Sequence, residues 1–168
     1  NNSANWKTVH LWNSPTYNYF FNNTILGENS NIANFAVVLF DTGNSNYNTF
    51  ENNTISAINA SSGTGVKIWN THYNNTFLGN TIFSELESSL IIQQSSEGNL
   101  FYNNIFNSSL GVEDNTIAGT NYWNTTSMGN FYFNSTGLGF SDSCLDTTPN
   151  DGICDTVYII PGTAGSQD

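Results

Sequence analysis

Asn48-Thr49-Phe50-Glu51-Asn52-Asn53-Thr54-Ile55 is one occurrence of a phrase that the chain repeats. The same order of Asn, aromatic, Asn and aliphatic residue returns as Asn18-Tyr19-Phe20-Phe21-Asn22-Asn23-Thr24-Ile25. It returns again as Asn75-Thr76-Phe77-Leu78-Gly79-Asn80-Thr81-Ile82 and as Asn99-Leu100-Phe101-Tyr102-Asn103-Asn104-Ile105-Phe106. A decayed copy is Asn121-Tyr122-Trp123-Asn124-Thr125-Thr126-Ser127-Met128. The first Asn of each copy stands at 18, 48, 75, 99 and 121, so the steps shorten from 30 to 27, 24 and 22 residues. The phrase stays fixed while the intervals vary, as when loops are inserted between copies of one structural unit.

A second phrase precedes each copy. Val9-His10-Leu11-Trp12, Val66-Lys67-Ile68-Trp69 and Leu90-Ile91-Ile92-Gln93 each begin nine residues before the first Asn. Val37-Val38-Leu39-Phe40 fits the same place with two residues inserted. These runs alternate apolar and other residues, the period of a β-strand, and end in turn-forming residues. No 3.6-residue period extends far enough for a helix. A unit of two or three short strands cannot bury its own apolar face, whereas stacked units can. The reading is an all-β, parallel β-helix of about five coils, right-handed by the general rule for parallel crossovers. The coils are expected over residues 1–128, with 129–168 as a capping segment of the same domain. A sandwich would not need one phrase at one place in every unit, and the Leu spacing of a leucine-rich repeat is absent.

Stacking sets out columns. Phe20, Phe50, Phe77, Phe101 and Trp123 are expected as an internal aromatic column. Ile25, Ile55, Ile82, Phe106 and Met128 are expected as an aliphatic one beside it. Asn23, Asn53, Asn80 and Asn104 fall on one turn, where Asn tolerates left-handed backbone and amides can bond from coil to coil. Trp12 and Trp69 share a repeat position with Phe40 between them, a candidate platform for sugar rings.

The chain has 168 residues and a formal charge of -11, with Lys7 and Lys67 its only basic residues besides His10 and His72. That balance excludes nucleic-acid binding and argues against anionic membranes. No apolar run reaches the length of a membrane span. Thirty Asn and a wealth of Ser and Thr keep the surface polar without charge. Asn-x-Ser/Thr sequons begin at Asn1, Asn22, Asn52, Asn59, Asn74, Asn107, Asn124 and Asn134. Together they point to N-glycosylation in a secretory setting. Cys144 and Cys154, an even pair in such a setting, read as one disulfide, with free thiols the alternative. No signal peptide is visible, and the chain reads as a mature or trimmed piece of a longer surface protein.

The tail, from Ser141 to Asp155, gathers Asp142, Asp146, Asn150, Asp151 and Asp155. Oxygen donors on an irregular loop suit Ca²⁺; a solvated acidic turn clipped by the disulfide is the competing reading. Val157-Tyr158-Ile159-Ile160-Pro161 reads as a closing strand.

These units resemble the NosD-like and CASH-type (carbohydrate-binding and sugar hydrolase) right-handed β-helix repeats, over roughly residues 9–160. Asn121-Tyr122-Trp123, then Asp151-Gly152-Ile153-Cys154-Asp155, then Thr156-Val157-Tyr158-Ile159-Ile160 resemble the ending of archaeal surface proteins of this class. The resemblance implies fold and an extracellular or cell-surface setting. The loop here has fewer acids and two added cysteines.

Catalysis is not expected. Lys7 and Lys67 lie on different coils, and Lys67 reads as a solvated outward residue. Glu85/Glu87 and Glu113/Asp114 are the only close acidic pairs in the coils, and His10 and His72 are about two coils apart. No copper is expected either, with one Met, two separated His and a paired Cys set. The reading is therefore a non-catalytic structural surface module of a layer, stalk or filament, self-association being its natural partner interaction. The alternative is a carbohydrate-binding or adhesive module that meets glycans, with a polysaccharide-degrading lyase or hydrolase a more distant one.

Overall fold

A computed structural model describes residues 7–28, 35–58, 63–147 and 154–168. Five coils follow one another. The first holds β1 (Val9–Leu11), β2 (Tyr19–Phe21) and β3 (Thr24–Glu28). The second holds β4 (Phe35–Phe40), β5 (Thr49–Glu51) and β6 (Thr54–Ile58). The third holds β7 (Gly63–Ile68), β8 (Thr76–Leu78) and β9 (Thr81–Ser84). The fourth holds β10 (Leu90–Gln94), β11 (Leu100–Tyr102) and β12 (Ile105–Ser108). The fifth has β13 (Val112–Thr116) and β14 (Phe131–Phe133), with a single bridge from Leu100 to Tyr122 in place of a middle strand. A one-turn helix α1 (Phe140–Ser143) follows.

Strands pair between coils, always parallel, in three sheets ordered β1-β4-β7-β10-β13, β2-β5-β8-β11 and β3-β6-β9-β12-β14. The chain is thus an all-β parallel solenoid. Inside it the aromatic column forms as read. Phe20, Phe50, Phe77, Phe101 and Trp123 stack with successive ring centroids 4.4, 4.9, 5.1 and 4.6 Å apart. Near-parallel rings at the rung spacing add stacking to area burial.

The aliphatic column differs at its end. Ile25, Ile55, Ile82 and Phe106 are in register, but the fifth place belongs to Tyr132, paired with Phe106, while Met128 is exposed. Residues inserted between Trp123 and Asn130 displace Met128 into a turn, where Thr125 and Met128 bond to each other.

A second correction concerns the second coil. Val9 pairs with Val38, not Val37, and Leu11 pairs with Phe40. A one-residue slip of a strand exchanges its faces. Phe40 therefore points inward and is wholly buried, and the residue between the two tryptophans is Asp41.

Candidate functional site

Two amide ladders run the length of the solenoid. In the first, Nδ2 of Asn18, Asn48, Asn75 and Asn99 donates to Oδ1 of the next Asn, ending at Asn121, at 2.8 to 3.0 Å. In the second, Asn23, Asn53, Asn80 and Asn104 do the same toward Asn130, each at 3.0 Å. Each Oδ1 also accepts the backbone N–H of the previous Asn, and Nδ2 also donates to a carbonyl of the preceding coil. From the second coil to the fourth every ladder amide is saturated, as burial demands. The left-handed residue is the one before the ladder: Asn22, Asn52, Gly79 and Asn103 have φ of 54 to 64°.

Both ladders end on carboxylates that the repeat does not announce. Asn121 Nδ2 donates to Asp114, whose buried carboxylate also accepts from Thr116 Oγ1 (2.6 Å), Trp123 Nε1 (3.3 Å) and Ser166 Oγ (2.7 Å). Asn130 Nδ2 donates to Asp168 Oδ2 (3.0 Å), which accepts Tyr132 Oη as well (2.9 Å). Burial pushes the Asp168 carboxyl up, against the bonds from Asn130, Tyr132 and Asn124. Burial likewise raises Tyr132 well above the usual phenol range.

The corner between the first and second sheets carries exposed aromatics. Trp12 is 62% exposed and Trp69 40%, two coils apart, with Asp41 between them. His10 stacks on Trp12 and bonds Asp41 at 3.1 Å. Lys67 is not solvated as expected: it is buried, its ammonium lies 5.2 Å from the Trp69 ring centre, and burial lowers its pKa against the pull of Glu113 and Glu87. Further along the same corner a groove of about 530 Å³ is lined by Asn46, Tyr47, Tyr73, Asn74, Glu97 and Tyr122. Tyr17 stacks on Tyr47 with centroids 5.2 Å apart. Gly119 leaves room for the Glu97 carboxylate, since a Cβ there would collide with it. Tyr73, Glu97 and Gly119 each stand two residues before the first Asn of their copy, so the repeat aligns them, but the residue type changes at every coil and no shared motif marked the groove.

His72 is a structural histidine. Its Nδ1 accepts from Ser45 N at 3.0 Å and its Nε2 faces Trp69 O at 2.6 Å, which fixes the Nε2–H tautomer. Burial lowers its pKa.

Among the sequons, Asn22, Asn52, Asn74 and Asn124 are exposed, and Asn107 and Asn134 are half-buried. Asn134 Oδ1 is occupied by Thr136 and Leu138 donors. Asn1 and Asn59 lie outside the described residues, as do Asn150 and Asp151 of the acidic loop. Cys144 and Cys154 form the disulfide. The remaining acids of the calcium reading do not converge. Asp142 caps α1, accepting from Gly139 N at 2.8 Å, and Asp155 accepts from Thr147. Asp146 lines a different cavity, beside the disulfide. Among the described residues no three His, Cys, Asp or Glu side chains are grouped to hold a metal.

A capped parallel solenoid with an aromatic corner is the class that this geometry defines. The chain belongs to the NosD family: the family model described as "Periplasmic copper-binding protein (NosD)" matches residues 1–137. No curated protein and no solved structure matches the chain. The family sets the chain among extracellular or periplasmic β-helix modules. No helix among the described residues is long and apolar enough to cross a membrane. The family's description also overturns the expectation that copper is excluded. The donors that copper favours are nonetheless not assembled among the described residues. His72 has both ring nitrogens engaged, His10 pairs with Asp41, and the sulfurs of Cys144 and Cys154 are bonded to each other. The donor set as it stands does not fit a copper centre.

Proposed function

We propose that the chain is a non-catalytic, N-glycosylated structural module of the cell envelope. The observation that carries this reading is the pair of saturated Asn ladders. They commit the polar groups of the interior to holding coils together. What remains for chemistry is sparse. Glu113 and Asp114 are adjacent on one strand and face opposite ways, Glu113 outward to Ser88 Oγ and Asp114 into the core. A strand's alternation keeps such neighbours from acting on one bond, as a glycosidase pair must. Glycans on the exposed turn sequons would supply the solubility that charge does not. Mass spectrometry of the native protein tests the reading: glycans are expected at Asn22 or Asn52, Asn74 and Asn124. Uniformly bare sequons would overturn the glycoprotein reading.

A second reading has its own observation in the aromatic corner. Trp12, Trp69 and the groove of Tyr47, Tyr73 and Tyr122 offer ring faces beside Glu97 and amide groups, the chemistry that packs on sugars. The two readings collide at Asn74, which lies in the groove and heads a sequon. A glycan there would fill the groove. A glycan array probed with unglycosylated protein, alongside Tyr47→Ala and Trp69→Ala, separates them. Binding lost in either variant supports a sugar-binding corner, and no binding rejects it.

A further inference from the structure

A cavity of about 530 Å³ lies where the last coil meets the C-terminal segment, with the Cys144–Cys154 disulfide in its wall. Its size is that of a small-molecule site. Four aromatic rings line it: Phe131, Tyr132, Phe140 and Tyr158. Three of them form a contiguous group, with the Tyr132 and Tyr158 centroids 4.1 Å apart and Phe140 4.9 Å from Tyr158. Among the described residues two carboxylates, Asp146 and Asp168, share the lining, and no Lys, Arg or His does. The donors to the Asp168 carboxylate are neutral, Asn130 N at 2.8 Å, Asn130 Nδ2 at 3.0 Å, Tyr132 Oη at 2.9 Å and Asn124, so its charge has no counter-ion among the described residues.

We propose that this cavity binds a small organic cation, a quaternary or alkylated ammonium ion. An anion would be repelled by both aspartates. A neutral guest would gain only apolar contact with the rings. A cation gains that contact, the negative faces of the rings, and attraction to two carboxylates in a partly dry site. The net charge of -11 concentrates such cations around the whole molecule. The raised pKa of Asp168 reports the same unmet need from the protein's side, because burial is its largest cause. This site is separate from the aromatic corner and does not depend on what that corner binds.

Titration calorimetry with tetramethylammonium and with choline, at constant ionic strength, tests the proposal. The neutral isostere 3,3-dimethylbutan-1-ol serves as the control. Saturable binding of the ammonium ions, about tenfold or more tighter than the alcohol, is expected from cation–aromatic attraction. Tyr158→Leu should weaken the ammonium ions about tenfold and leave the alcohol unchanged. Asp146→Asn, away from the ladder, should also weaken the ammonium ions alone. A thermal melt checks that each variant is folded; if Tyr158→Leu is not, Phe140→Leu replaces it. Equal binding of alcohol and ammonium, no saturable ammonium binding, or full ammonium affinity in both folded variants would overturn the proposal.

Discussion

The Asn75 side chain makes four hydrogen bonds. Its Oδ1 accepts from Asn48 N and Nδ2, and its Nδ2 donates to Ser45 O and Asn99 Oδ1, all at 2.9 to 3.0 Å. Asn75→Asp keeps the shape and the acceptor, but it sets an oxygen against two oxygens and buries a charge. A loss of about 3–5 kcal/mol in urea unfolding is expected. Asn23→Ala, at the exposed start of the second ladder, removes one side-chain bond to Asn53 and should cost about 1 kcal/mol. Similar losses at the two sites would mean that the ladder is not the source of stability. His72 gives a second test at this scale. Its folded pKa lies below the ordinary histidine value, so between the two values the unfolded chain holds more protons than the folded one. The stability carried by neutral His72 is therefore complete above about pH 6.5 and declines as pH falls toward the folded value, by at most about 1.4 kcal/mol per pH unit. Unfolding midpoints at pH 7.5 and 5.5 should differ in that direction, and His72→Gln should narrow the difference. A larger or unchanged difference in His72→Gln would assign the effect elsewhere.

At the scale of the element, the corner before β3, β6, β9 and β12 repeats one left-handed residue, at Asn22, Asn52, Gly79 and Asn103. Two of these head sequons and sit on adjacent rungs. Rungs are about 4.8 Å apart, closer than two glycans can stand side by side. Glycan occupancy at Asn22 and Asn52 should therefore be mutually exclusive, with doubly occupied molecules rarer in intact mass spectra than independent occupancy predicts. Doubly occupied molecules at the independent frequency would show that the turn splays its side chains apart. The sequence disclosed these elements because each copy carries the same residue types at the same offsets. Phe50, Ile55 and Asn53 could be aligned with their counterparts by eye, and their stacking followed from the geometry of a parallel ladder. It misled wherever a loop changed length. One residue more between Phe40 and Asn48 set Val38, not Val37, opposite Val9, and the insertion after Trp123 put Tyr132 where Met128 was expected. Offsets within a copy survive such insertions, and offsets across them do not. The residues that close the ladders escaped for another reason. Asp168 lies 38 residues from Asn130, in a segment with no repeat to align.

At the scale of the whole molecule, the ladders have a direction. Every side-chain amide passes its N–H toward the fifth coil, so that end needs acceptors and the other end presents them. Asp114 and Asp168 are the acceptors at the fifth coil, and charged acceptors suit the last donor of a polarised chain of bonds. The segment that brings them their partners folds back on itself: Tyr158 and Asp168 exchange backbone bonds, Ile160 N donates to Ser166 O, and Ile160 is buried against the core. At the first coil, Asn18 and Asn23 present Oδ1 atoms that receive no ladder donor from the described residues. Ladder polarity makes the fifth coil of one molecule the complement of the first coil of another, and the covering segment stands between them. Two first coils brought face to face would set acceptor against acceptor. End-to-end assembly therefore requires that the cover be displaced. The protein should be monomeric in light scattering. A chain ending at Ile160 frees Asn130 Nδ2 from Asp168 and should instead form linear oligomers, which Asn23→Leu would suppress by removing the acceptor that Asn130 of the next copy would meet. A monomeric truncated chain that keeps its strand content would show that ladder ends do not drive assembly. Oligomers of the intact chain would show that the cover is no barrier, and that copies meet through another face.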